Sequence, residues 1–410
     1  YNSERIFNMN ILIVANFTRD FSESDNGRFL YLGKKLAENH KVEIITTEFS
    51  HGAKAPKKPV TVKYPFKITM LKEPGYKKNI SIKRFYSHHV WGKNVRDYLK
   101  TIEKPDVVYC AVPSLTGPSY VADYCRERGI RFIIDIQDLW PEAFQMVFNV
   151  PVVSSVAFYP FKHMADSIYK SADAICAVSQ TYVNRALSVS QKCHSGTTVF
   201  LGTDLDTFDS YASEEPIMHK PINEVWLAYC GTLGNSYDLT CVFDALEILS
   251  QRGIRPKFII MGDGPRRGAF EQYASEKDID TLFTGSLPYN QMCSLLCECD
   301  IVLNPIIHNS AASIINKHSD YAASGLPVVN TQESNEYRHL IDTYQMGFNC
   351  ANGDPFDMAK KIEILMCDEE LRKQMGANAR RCAEEKFDRK NSYDALFSEI
   401  LRGGVQASPE

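Results

Sequence analysis

From Asn10 onward the chain alternates short apolar runs with longer amphipathic stretches, a pattern that predicts parallel strands joined by crossover helices. In the first half, Ile11 to Ala15, Val42 to Thr46, Val107 to Ala111, Phe132 to Ile136 and Ala174 to Val178 read as strands. Phe29 to Asn39, Lys93 to Glu103, Ser119 to Arg128 and Val156 to Ser171 read as helices. The second half repeats this, with strands expected at Val225 to Tyr229, Lys257 to Met261, Leu282 to Thr284, Ile301 to Pro305 and Pro327 to Asn330. Helices are expected there at Thr240 to Gln251, Ala269 to Glu276 and Tyr289 to Cys297. Asp204 to Asn223 is rich in acidic residues, Ser and Pro, as a linker is. Helical patterns over Pro355 to Cys367 and Glu369 to Glu385 follow, and Arg389 to Leu401 forms a last amphipathic helix. The pattern predicts two doubly wound α/β domains over 9–205 and 224–386, a hinge over 206–223 and a terminal helix over 387–402. Two such sheets facing each other leave a cleft at the carboxyl ends of their strands, where doubly wound sheets bind ligands.

The length of 410 residues agrees, since it suits two domains of roughly 200 residues, each with its own core. The longest apolar neighbourhood, Val147 to Phe161, is broken by Asn149, Pro151, Ser154 and Ser155, so no bilayer-spanning helix is expected. Tyr1 to Asn8 lack the apolar core of a secretory signal, and twelve scattered cysteines suit a reducing cytoplasm. Cys293, Cys297 and Cys299 cluster, but in a helical pattern without a fourth ligand, so no metal site is expected. A net charge of −4 and the lack of a nucleic-acid module argue against nucleic acid.

Charge is uneven, however. Residues 54–104 carry fourteen Lys or Arg against three acidic residues, interleaved with Tyr64, Phe66, Tyr76, Phe85, Tyr86 and Trp91. That mixture fits peripheral attachment to an anionic membrane, each basic residue contributing about 1 kcal/mol near the surface. A solvated charged face has the same composition. His88 and His89 are adjacent on a helical pattern, so one of them is expected to face solvent.

Three segments of the second half suggest chemistry. Tyr229-Cys-Gly231-Thr232-Leu-Gly234-Asn-Ser-Tyr-Asp238 leaves a strand and opens a helix, so its glycines let backbone amides approach a phosphate, though a plain turn looks the same. In Met261-Gly262-Asp263-Gly264-Pro265-Arg266-Arg267 the glycines permit unusual dihedrals, Pro265 can start a helix and an Arg can meet an anion. In Ser313-Ile-Ile-Asn316-Lys317-His-Ser-Asp320-Tyr-Ala-Ala-Ser-Gly325, a helix from Ser313 puts Lys317 and Asp320 on one face below free amides. A cation beside amides suits a diphosphate, and a carboxylate suits two ribose hydroxyls; an internal Lys–Asp pair is the alternative. In the first half, Asp138 follows the fourth strand, where it could orient a hydroxyl, accept its proton or cap a helix before Pro141. Trp140 and Glu142 flank it.

The order of Gly231-Thr-Leu, Gly262-Asp-Gly-Pro and Asn316-Lys-x-x-Asp-Tyr-Ala-Ala-Ser-Gly-Leu-Pro-Val-Val resembles the nucleotide-sugar half of the fourth family of retaining glycosyltransferases. Ala177-Val-Ser179 and Gly202-Thr-Asp-Leu-Asp-Thr-Phe208 resemble the segments that close its acceptor domain. Asp135-Ile-Gln-Asp138-Leu-Trp-Pro-Glu142 is similar to members that build bacterial capsule, exopolysaccharide or O-antigen. The resemblance spans nearly the whole chain and implies the GT-B architecture, with the terminal helix returning to the first domain. It implies a nucleoside diphosphate sugar donor, UDP- or GDP-linked, and a lipid-linked saccharide acceptor at the inner face of the membrane, with no cofactor and no metal.

By that resemblance Asp320 takes the place of the ribose-binding Glu, and Asp25-Asn-Gly27-Arg28 that of the glycine loop touching donor phosphates and acceptor. The donor set becomes Gly27, Gly231, Thr232, Gly262, Asp263, Gly264, Pro265, Arg266, Leu287, Asn316, Lys317 and Asp320. The acceptor set becomes Gly27, Arg28, Asp138 and Trp140, and Asp138, Lys317 and Asp320 form the catalytic group. The chain departs from the family at two points. Ala312 replaces the first Glu, so a backbone amide between His308 and Ser313 must serve, and the Arg and Lys usual after the first glycine turn are missing, with Thr232 in the Arg position. Lys317 and Arg266 are the substitutes for that lost charge. A nucleotide-sugar epimerase on the same scaffold and a non-catalytic donor-binding subunit are the alternatives.

Overall fold

The computed structural model describes residues 9–21, 26–79, 81–142, 151–308 and 314–402, with the side chains of 151–157 left out. Contacts divide the chain into two compact units, Tyr1–Val199 with Tyr393–Glu410, and Phe200–Ser392.

In the first unit a seven-stranded sheet runs in the order Lys67–Leu71, Lys41–Thr47, Asn10–Val14, Val107–Val112, Arg131–Ile136, Ala174–Ala177 and Thr197–Thr198. All its pairings are parallel. The inner strands are mostly apolar because both faces are covered, as in Val107–Val112, where all six residues are buried. Numbered along the chain, the strands run 3-2-1-4-5-6-7, so the order reverses between Asn10–Val14 and Val107–Val112. In the second unit, Thr281–Gly285, Lys257–Met261, Trp226–Cys230, Ile301–Asn304, Val328–Asn330 and Gly347–Asn349 form a six-stranded sheet. It is parallel and runs 3-2-1-4-5-6, reversing between Trp226–Cys230 and Ile301–Asn304.

Several expected boundaries move. The helix expected at Lys93 begins at Ile82, where Ser81 Oγ accepts the Arg84 amide; its charged first half hides the buried Ser87, His88 and Trp91. The edge strand Lys67–Leu71 has no apolar run because every residue in it is half-buried or exposed. The expected hinge holds a helix, Leu205–Ala212, whose Leu205 and Phe208 enter the second unit's core. The last helix breaks at Tyr393. Arg389–Ser392 stays with the second unit, where the Arg389 guanidinium donates to the carbonyls of Leu201 and Gly202. Asp394–Leu401 packs Leu396 and Ile400, with Tyr393, among Ile11, Ile13 and Leu30 of the first.

Candidate functional site

In the second unit the first glycine turn leaves Cys230 at the point where strand order reverses, the usual ligand position of such sheets. Gly231 has φ +144°, a conformation that side chains disfavour. Backbone hydrogen bonds zip this turn to the second: Gly231 N donates to Met261 O at 3.0 Å, Leu233 N to Asp263 O at 2.9 Å, and Arg266 N to Leu233 O at 3.0 Å. A Cβ on Gly262 would lie 1.8 Å from Gly231 O, and one on Gly264 would lie 2.4 Å from Leu233 O. Those two glycines therefore serve the close approach of one turn to the other. Pro265 lies in the turn before the helix Arg267–Glu276, two residues earlier than its expected role as first helical residue. The Arg266 guanidinium rests on the Phe270 ring, 4.9 Å from its centre. Asp263 is exposed and accepts its neighbour's amide, while Thr232 is exposed and gives its carbonyl to the Tyr229 hydroxyl at 2.8 Å. Leu287 is half-buried against the core.

The helix expected from Ser313 runs over Asn316–Ala323, so Lys317 belongs to its first turn and not to the turn below. Ala312 and Ser313 lie outside the described residues, and so does most of the loop expected to replace the missing Glu. Asn316 is exposed. Lys317 is 8% exposed, and its Nζ has no hydrogen-bond partner among the described residues. The ammonium sits 3.9 Å from the centre of the Tyr237 ring and 4.4 Å from that of Tyr229. A Cβ on Gly231 would be 3.4 Å from it, so the lysine stands beside the glycine turn. Burial pulls its pKa down to about 7. The internal Lys317–Asp320 pair is absent; Asp320 Oδ1 instead accepts the Tyr289 hydroxyl at 2.8 Å, which lies 3.0 Å from Thr203 Oγ1. Sequence reasoning missed Tyr229, Tyr237 and Tyr289, because tyrosines on a strand, a turn and a helix read as core.

In the first unit Gly27 caps the helix Arg28–Leu36 in ordinary extended conformation, its carbonyl accepting the Tyr31 amide at 3.0 Å; Asp25 lies outside the described residues. Arg28 does not face an acceptor. It is 4% exposed, and its guanidinium donates to Asp135 Oδ1 at 2.9 Å, Val199 O at 3.2 Å and the Tyr393 hydroxyl at 3.2 Å. An apolar sheet interior leaves so charged a group only an internal partner.

Asp138 opens onto a cavity of about 160 Å³ lined by Phe17, His51, Arg84, Gln137 and Trp140, with Ala111 and Pro113 at the strand reversal. Its carboxylate accepts the Leu139 amide at 2.9 Å and Trp140 Nε1 at 3.2 Å. Burial outweighs these bonds and pushes its pKa up to about 6. Trp140 is buried, with the Arg84 guanidinium over its ring at 4.4 Å and the His88 ring stacked at 5.5 Å. Glu142 is engaged by Arg185. His88 is buried and His89 exposed, as expected of neighbours on one helix. Arg84, His51 and Phe17 were not foreseen, because each comes from a different segment.

Cys293 and Cys299 are buried and Cys297 is exposed; among the described residues no His, Cys, Asp and Glu side chains gather as a metal site. In none of the described helices is there a run long and apolar enough to cross a membrane. Ten of the fourteen basic residues of 54–104 are exposed, but Phe66, Tyr76 and Trp91 are buried. The exposed apolar groups there are Ile82, 88% exposed, and Tyr86, 61% exposed, one turn apart on a helix.

Residues 215–382 match the family model described as Glycosyl transferases group 1. Among curated proteins, the chain is 21% identical over 254 residues to "Probable glycosyltransferase WbjE" of Pseudomonas aeruginosa, across 59% of this chain and 61% of that one. It is 27% identical over 194 residues to a GDP-mannose-dependent alpha-(1-6)-phosphatidylinositol dimannoside mannosyltransferase of Mycobacterium tuberculosis, across 47% of each. The chain thus spans 61% and 47% of the length of these relatives. Among solved structures, Anabaena HepE in complex with UDP and glucose aligns over 96% of this chain and 99% of that one, with a TM-score of 0.70 at 14% identity, a likeness of fold. Residues 215–382 are thus similar to the group 1 glycosyl transferases, and the fold is of the GT-B kind.

Proposed function

We propose that the protein is a retaining glycosyltransferase that moves a sugar from a UDP- or GDP-linked donor to a hydroxyl of a lipid-linked saccharide in surface polysaccharide synthesis. The observation that carries this reading is the Lys317 ammonium, buried beside a glycine turn in the first turn of a helix, with none of its three donors used among the described residues. A buried cation without acceptors is unfavourable, and a diphosphate supplies them. When the bond from the anomeric carbon to the diphosphate oxygen breaks, negative charge grows on the leaving group. Lys317 and the helix-end amides meet that charge, and because they are already in place they stabilise the transition state without reorganising. Asp320, with Tyr289, takes the ribose hydroxyls, and the zipped turns with Arg266 border the donor. In the first unit the Asp138 cavity takes the acceptor, and a carboxylate titrating near 6 suits receiving the proton of the attacking hydroxyl. The reading assigns no metal.

The similar proteins support a nucleotide donor: one uses GDP-mannose, and another was solved with UDP. The same reading docks the first unit peripherally on the inner face of the membrane through Ile82, Tyr86 and the surrounding lysines. The test is to incubate the protein with UDP- and GDP-sugars, with and without lipid-linked saccharide. Release of UDP or GDP only with acceptor is expected. Isomerised donor would instead identify an epimerase, and thermal stabilisation without turnover a donor-binding subunit.

A further inference from the structure

The helix that carries Lys317 begins without an ordinary cap. Its N-cap is Ile315, which has no side-chain acceptor, and the third helical residue, His318, does the work: its Nδ1 accepts the Ile315 amide at 2.9 Å. The imidazole is fully buried, stacked on Tyr337 with ring centres 3.8 Å apart, and its Nε2 lies 3.0 Å from the Asn304 side-chain amide. With Nδ1 accepting, Nε2 carries the ring's proton and is held by the Gln332 side chain, whose Oε1 also accepts from Asn304 at 3.2 Å. Asn304 donates to Asn330 at 2.7 Å, and Asn330 to Asn349 at 2.9 Å, so the ring joins a ladder across the ends of three strands. The third helical residue that reaches back in this way is usually Glu or Gln. A Glu there would set a negative charge one residue from Lys317, where a diphosphate is to bind. A neutral imidazole reaches the same amide without that charge, and burial, followed by the Lys317 charge, holds its pKa far below the usual histidine value.

We propose that His318 is the positioning residue of the diphosphate site: a charge-neutral cap that ties the start of the Asn316–Ala323 helix to the strand ends and so aims its first-turn amides and Lys317. This rests on the donor reading above. The test compares binding of UDP and GDP with binding of uridine and guanosine in the full chain by calorimetry. His318→Ala should weaken the diphosphate by about fivefold or more, the worth of a lost cap, and the nucleoside less than about twofold. His318→Gln, whose side-chain oxygen can take the Ile315 amide as the third residue of a capping box does, should recover most of the loss. His318→Leu, which fills the space without an acceptor, should not. If the Ala variant does not fold, the Gln–Leu comparison carries the test alone. Equal binding by Gln and Leu, or a nucleoside loss as large as the diphosphate loss, overturns the inference. Failure of the unaltered protein to bind either diphosphate overturns the donor reading itself.

Discussion

The two units share a strand order up to the sixth strand and place their candidate sites at the same point of it, yet build them from opposite materials. The first lines a small cavity with side chains from distant segments, Phe17, His51, Arg84, Asp138 and Trp140. Its charges have company: Arg28 bonds Asp135, and Arg84 lies over Trp140. His51 and His88 are kept neutral, pressed down to about 3 and about 2 by burial and then by the Arg84 charge. The second builds from backbone, with two glycine turns bonded to each other and one lysine that, among the described residues, lacks a hydrogen-bond partner. Backbone amides suit a group shared by every donor, the diphosphate, whereas an assembly of side chains suits a saccharide whose hydroxyls must be told apart.

The comparison breaks most readily at Arg28. Arg28→Ala leaves Asp135 fully buried without its cation, so a loss of about 3–5 kcal/mol in chemical denaturation is expected. Arg28→Met with Asp135→Leu should restore much of it. A single-variant loss below about 1 kcal/mol would mean that paired charge does not hold the first unit. The matching experiment in the second unit is Gly262→Ala, whose new Cβ must displace the Gly231 carbonyl. It should cost about 3 kcal/mol, as overpacking does, while Gly268→Ala, which meets only open space, should stay within about 1 kcal/mol of the parent protein.

The same contrast governs what could be read from the chain. Gly231, Gly262, Lys317 and Asp320 lie within local motifs, and local motifs leave a linear trace. The cavity of the first unit leaves almost none, because its residues meet only through long crossovers, and Asp138 was visible only by its place after a strand. Arg28 misled for the converse reason: a charged residue at a helix start looks like a ligand contact, and nothing local tells that Asp135, more than a hundred residues away, will bury it. The inner strands were legible from unbroken apolar runs. Lys67–Leu71 was not, because an edge strand lacks that run. The helix Leu205–Ala212 hid in an acidic stretch because only Leu205 and Phe208 face the core.

A smaller effect sharpens the role of the lone lysine. Lys317→Met keeps the stem between Tyr229 and Tyr237 but removes an ammonium with no hydrogen-bond partner among the described residues, so thermal stability should hold or rise. Affinity for UDP or GDP should nevertheless fall by about 1–3 kcal/mol in calorimetry, the range of a hydrogen bond to a charged group. A variant that loses stability and keeps affinity would make Lys317 a structural residue and erase the contrast with Arg28.

The mildest expected effect belongs to Asp138 and is read as a dependence on pH. Its carboxyl titrates near 6 in the folded chain, above the usual 3.8, because burial disfavours the charged form. The folded state therefore holds the proton more tightly than the unfolded one. That contribution to stability is complete below the unfolded value and is lost as pH rises towards 6. Asp138→Asn should flatten this decline in urea denaturation between pH 4 and 7. If the carboxylate also takes the acceptor's proton, the transfer rate of the parent protein climbs through pH 6 and that of the Asn variant does not. A flattened stability profile with an unchanged pH–rate profile would leave Asp138 as the residue that holds Trp140 in place, and would put the proton on the departing diphosphate.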